Sequence, residues 1–107
     1  MRFLASALLF TLAAGGAGAQ ETALRVTIEK HRFQPAEIKA PANTPLTLAV
    51  RNADPTPEEF ESKPLRVERV VPGGKEVTIK LRPLQPGRYE FVGEYNENTA
   101  KGVLIVE

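Results

Sequence analysis

Hydrophobic and polar side chains alternate with a period of two in four separate stretches of the chain. Leu24, Val26 and Ile28 alternate with Arg25, Thr27 and Glu29, and Leu46, Leu48 and Val50 alternate in a second run ending at Asn52. Val77, Ile79 and Leu81 make a third, and Tyr89 and Phe91 oppose Arg88, Glu90 and Val92 in a fourth. A last β-branched run spans Gly102 to Val106. Period two is the pattern of a half-buried strand. Proline and glycine punctuate the runs: Pro41-Ala42-Asn43-Thr44, Pro72-Gly73-Gly74 and Pro86-Gly87 read as turns. Phe33, Pro35 and Ile38 suit a chain crossing between two sheets, and Ala53 to Pro57 is a polar, proline-broken loop. Leu65, Val67, Val70 and Val71 form an apolar element whose type the pattern leaves open. No helical period persists beyond a turn or two. The expectation is an all-β, antiparallel Greek-key sandwich of roughly seven strands. Its predicted core is Val26, Ile28, Phe33, Ile38, Leu46, Leu48, Val50, Phe60, Val77, Ile79, Leu81, Tyr89, Phe91, Leu104 and Val106.

The first residues change the picture of where the domain begins. Arg2, the apolar stretch Leu4 to Ala14 and the small-x-small site Ala17-Gly18-Ala19 read as a signal peptide cleaved ahead of Gln20. The apolar stretch falls short of the roughly 20 residues of a membrane span. Residues 1–19 are therefore assigned to a leader and 20–107 to one exported domain without a stable membrane anchor.

Charge and composition exclude several classes of function. Of 14 Lys and Arg, the leader holds Arg2, so 13 basic side chains face 13 acidic ones in the domain. That balance argues against nucleic acid as a partner. The absence of cysteine excludes a thiolate zinc site, an iron–sulfur site, a Cys nucleophile and disulfide support. One histidine and no Gly-x-Ser-x-Gly turn leave no catalytic triad.

Acidic groups carry the candidate chemistry. Glu58, Glu59 and Glu61 follow the proline-broken loop, and Glu90, Glu94 and Glu97 lie on and after the Tyr89 run, with Asn96 among them. With Phe60 in the core, strand parity puts Glu58 on its side and Glu59 and Glu61 on the other. Carboxylates near a strand end read equally well as a solvated rim. As ligands, hard carboxylate oxygens with an Asn amide suit iron, manganese, calcium or magnesium better than Cu(I). His31, just before a turn, reads as a surface side chain, with ligation as the alternative. Tyr89 reads as a packing residue that anchors its turn through the hydroxyl.

Phe33-x-Pro35-x-x-Ile38, Asn52-x-Asp54, Glu59-Phe60-Glu61, Pro86-Gly87-x-Tyr89 and Gly102-x-Leu104-x-Val106, taken in order, resemble the cupredoxin-like domain of the EfeO type. That domain is similar to the periplasmic cupredoxin of Ftr-type ferrous-iron uptake systems, and the resemblance covers nearly all of residues 24–107. A blue-copper cupredoxin carries Cys, His and usually Met in its late loop; those places here hold Gly93, Asn96 and Ala100, and Glu-Phe-Glu stands where the first His belongs. The scaffold is kept without a type 1 copper site. The resemblance implies a metal-binding accessory that assists a membrane iron permease or other periplasmic iron-uptake components, with an iron or copper ion bound. It also implies that both acidic groups meet at one end of the sandwich. Glu59, Glu61 and Glu94 are then the metal candidates, with Glu58 and Asn96 as second choices. Two other readings stay open: a copper-dependent ferrous oxidase, and a metal-free structural or protein-interaction domain. A homodimer remains an open assembly.

Overall fold

Strand parity and turn chemistry together generate two sheets. The structure, a computed structural model, describes residues 21–107. The leader assigned to residues 1–19 lies outside the described residues. Nine strands follow in order: β1 (Thr22–Glu29), β2 (Arg32–Gln34), β3 (Glu37–Ala40), β4 (Leu46–Asn52), β5 (Glu58–Ser62), β6 (Val67–Val71), β7 (Glu76–Leu81), β8 (Gly87–Gly93) and β9 (Lys101–Val106). One sheet has the order β2-β1-β4-β7 and the other β3-β9-β8-β5-β6.

The expected sandwich is present, with two differences from the sequence reading. There are nine strands among the described residues rather than about seven, because the Phe33–Ile38 crossing contributes a short strand to each sheet. The apolar element of open type is β6. The sheets are also mixed rather than purely antiparallel: β1 runs parallel to β4 and β3 parallel to β9. Period two reports which face a residue occupies and is silent on the direction of the neighbouring strand. Parallel pairs need long connections, and here each pair is joined through intervening strands.

Alternating inward residues fill the space between the sheets. Thirteen of the fifteen predicted core residues are buried, and Val77 and Tyr89 are half-buried against them. Leu24, Ala40, Leu65, Val71, Leu84 and Ala100 join the core. At its centre Phe33 meets Phe91 edge to face at 4.9 Å and Phe60 at 5.9 Å, while Phe60 and Phe91 stack at 5.0 Å. Such pairs add about 0.5–1.5 kcal/mol beyond the area they bury. Gly102 lies across from Phe91, and the ring covers the space a Cβ would need. The Tyr89 hydroxyl donates to the Gln85 carbonyl at 2.7 Å and so closes the Pro86-Gly87 turn.

Polar side chains fix the loops at one end. Lys30 and His31 have positive φ (54° and 57°), as the tightest hairpin turn demands. Their backbone N–H groups donate to the two carboxylate oxygens of Asp54 at 2.7 and 2.9 Å. Fully buried Asn52 donates through Nδ2 to the Thr56 and Val71 carbonyls and accepts from the Asp54 N–H. The Thr99 hydroxyl donates to the His31 carbonyl, tying the 94–100 loop to the same end. Asn52-x-Asp54 is therefore a loop-bracing pair.

Candidate metal centre and its buried counterpart

β5 divides its acidic residues between the two faces of the sheet. Phe60 and Ser62 are buried, so Glu58 is buried with them, at 1% exposure, while Glu59 and Glu61 point to the outer face. β8 lies beside β5, with Phe60 opposite Gly93, and delivers the loop that begins at Glu94 directly above Glu58. That loop opens with a 3₁₀ turn, Glu94–Asn96.

On the inner side, three N–H groups converge on one carboxylate. Glu58 Oε1 accepts from the Tyr95 N–H at 2.8 Å and from the Glu59 N–H at 3.0 Å, and Oε2 accepts from Asn96 Nδ2 at 2.7 Å. Hydrogen bonds to an ionised acceptor are the strong ones, worth about 1.5–3 kcal/mol each. Gly93 leaves the carboxylate its space. Its backbone is ordinary extended chain (φ −92°, ψ 108°), yet a Cβ there would lie 2.6 Å from Glu58 Cδ and 2.7 Å from the Ala100 Cβ. The Gly93 N–H donates to the Ala100 carbonyl and the Ala100 N–H to the Asn96 carbonyl, which closes the loop on itself.

On the outer side, carboxylates face each other. Glu68 of β6 pairs directly with Glu61 across the strands, and oxygens of Glu59, Glu68 and Glu94 lie within 4.8 Å of one another. Like charges placed this way repel. The Glu61 carboxyl is raised above its usual value, first by partial cover from its neighbours, then by the Glu94 hydrogen bond and charge, with Lys63 pulling the other way. Glu94 is raised as well, chiefly by its hydrogen bond with Glu59, while a bond with Glu61 offsets part of this. Glu90 and Glu97 line a surface depression together with Glu61, Lys63 and Glu94.

The five residues singled out in the sequence thus fall into two groups rather than one cluster. Glu59, Glu61 and Glu94 gather outside, whereas Glu58 and Asn96 bond to each other inside. Glu68 was missed because its strand was not recognised; an Arg-Val-Glu run antiparallel to β5 would have placed it opposite Glu61. His31 takes part through its backbone, and its exposed ring borders a polar depression shared with Glu94 to Thr99.

The model of the cupredoxin-like domain matches residues 2–106. The chain belongs to the cupredoxin-like domain family. A protein of Rickettsia prowazekii (strain Madrid E), described as uncharacterized, is 41% identical over 83 residues, which is 78% of this chain and 66% of that one. The chain thus spans just under two thirds of that relative's length. Among solved structures, the metal-binding domain of the Cu(I)-exporting P-type ATPase CopA of Streptococcus pneumoniae D39 is similar with a TM-score of 0.73 at 21% identity, over 86% of this chain and 91% of that one. Auracyanin A, a blue copper protein of Chloroflexus aurantiacus, is similar with a TM-score of 0.67 at 12% identity, over 82% and 100%. These likenesses concern the fold, which is related to copper-binding proteins.

The residues present do not fit a type 1 copper ion. There is no thiolate in the chain, and Gly93 and Ala100 offer no side-chain ligand atom. The groups converging on the Glu58 position are N–H donors, which suit an anion and oppose a cation.

Proposed function

We propose that this protein is a periplasmic, cupredoxin-like metal-binding accessory of ferrous-iron uptake, handing a hard divalent cation to a membrane permease. The observation that carries this reading is the outer group of Glu59, Glu68 and Glu94, whose oxygens lie within 4.8 Å of one another. Carboxylate oxygens in that number prefer Fe(II) or Mn(II) to Cu(I). The raised Glu61 and Glu94 carboxyls supply a reason to bind, since a cation relieves their mutual repulsion. The signal-like leader and the ordered motifs of the EfeO type supply the compartment and the iron context.

Calorimetric titration of wild type, Glu59→Gln and Glu94→Gln with Fe(II), Mn(II) and Cu(II) tests the reading. Wild type should bind Fe(II) or Mn(II), and each variant should bind it about ten-fold more weakly or worse, as loss of one charged ligand implies. Identical affinities in all three proteins would leave these carboxylates as a solvated rim. A second reading, a metal-free interaction domain, is favoured by the Glu58 arrangement, which satisfies the interior of the loop end without an ion. Absence of any stoichiometric cation in that titration supports it.

A further inference from the structure

We infer that the Glu58 carboxylate stands in the place of a metal ion: it is a tethered anion that holds the 93–100 loop onto β5, so this end of the sandwich closes without any metal. The inference does not depend on whether the outer carboxylates bind a cation. The positions where the cupredoxin resemblance puts metal-loop ligands, Gly93, Asn96 and Ala100, do come together: a Cβ on Gly93 would lie 2.6 Å from Glu58 Cδ and 2.7 Å from the Ala100 Cβ, and Asn96 Nδ2 donates to Glu58 Oε2. The residue that meets them there is Glu58, one position ahead of the Glu59-Phe60-Glu61 stretch, and its carboxylate fills the place itself. A metal centre gathers lone pairs around a positive ion; here the polarity is reversed, with N–H groups of Tyr95, Glu59 and Asn96 gathered around a negative one.

Space and burial point the same way. Glu58 Oε2 would sit 2.7 Å from a Cβ on Gly93, so the absence of a side chain at Gly93 is the condition for the carboxylate to be there. At 1% exposure the group has no solvent to fall back on, and its charge is balanced by the three N–H dipoles. Glu94, which starts the turn held by the Tyr95 N–H, faces outward toward Glu59 and Glu61; Glu58 is therefore also a positioning residue for the outer group.

Chemical rescue tests this directly in the full-length mature protein. Glu58→Ala removes the atoms of an acetate ion and leaves three N–H donors around a small void. Its thermal midpoint should fall well below wild type, and millimolar acetate should recover part of the loss while leaving wild type unmoved. Cu(II) or Zn(II) at equal concentration should not. Wild type dialysed against a chelator should keep both its midpoint and the slow amide exchange of Tyr95. Rescue of Glu58→Ala by the metals, failure of acetate to rescue a folded Glu58→Ala protein, or loss of Tyr95 protection on chelation would each overturn the inference. Where Glu58→Ala does not fold, a variant that keeps the shape decides. In Glu58→Gln the amide oxygen can keep the Tyr95 and Glu59 N–H groups while its N–H₂ turns to a flipped Asn96. The deciding variant is therefore Glu58→Gln combined with Asn96→Leu, which leaves that N–H₂ without an acceptor and should lower the thermal midpoint well below that of Asn96→Leu alone. Equal midpoints in Asn96→Leu and the double variant would overturn the inference as well.

Discussion

Glu58 and Glu61 leave β5 three residues apart and on opposite faces, and their surroundings are inverted. Glu58 is almost wholly buried and meets only N–H groups; Glu61 is half-exposed and meets other carboxylates. The dry carboxylate is the satisfied one and the wet carboxylate the frustrated one. Burial alone therefore does not set the cost of a charge: what counts is the sign of the dipoles that replace water. One strand carries a carboxylate held by N–H groups on its inner side and mutually repelling carboxylates on its outer side.

The comparison breaks most visibly at Glu58. Glu58→Leu leaves three donors orphaned in an apolar setting and should destabilise by about 3–5 kcal/mol. Glu59→Leu, one residue along, should stay within about 0.5 kcal/mol. Urea denaturation of the pair decides it, and equal losses would erase the distinction. Gly93→Ala comes next, at about 3 kcal/mol, because its Cβ must push both the carboxylate and Ala100 aside. A near-neutral Gly93→Ala in the same assay would mean that the carboxylate has room to move. Asn96→Ala removes one charge-assisted bond and should cost about 1.5–2 kcal/mol, read as a shift in the urea midpoint.

The smallest effect belongs to the outer group and carries the opposite sign. Glu61 and Glu94 hold their protons more tightly when folded than the usual carboxylate value of 4.5. The native state then binds more protons than the unfolded one just above that value, so stability falls as pH rises through the folded pKa. Glu94→Gln should flatten this slope and slightly stabilise the metal-free protein at neutral pH, measured as thermal midpoints across the weakly acid range. A steeper slope in Glu94→Gln would show that the repulsion lies elsewhere.

Much of this was legible in residue order, and the failures have physical reasons. Parity around Phe60 separates Glu58 from Glu59 and Glu61 with no structure in hand, since side chains alternate strictly along a strand. The partners of Glu58 were not legible, because they depend on a loop folding back across a sheet boundary. β6 escaped because it is an edge strand, wet on both faces over Glu68 to Val70, so burial imposes no period on it. β2 and β3 escaped because three or four residues around Pro35 are too few to show a period. Leu84 is buried between prolines in a connecting segment, where no pattern marks it, and Leu65, read only as part of the apolar element of open type, is buried just after Pro64.

The position of β9 has a consequence for timing. β9 is the last strand of the chain, yet it lies between β3 and β8, and β3 pairs with no other strand among the described residues. From Ala40 to Lys101 the chain must wait, with β3 complete and unpaired, before its partner exists. Sheet closure is thus a late, long-range event, of the kind that makes β-sandwiches slow to fold. A chain emerging from its N-terminus can assemble β1, β2, β4 and β7 first, and the five-stranded sheet seals only when Lys101–Val106 slides in between its neighbours.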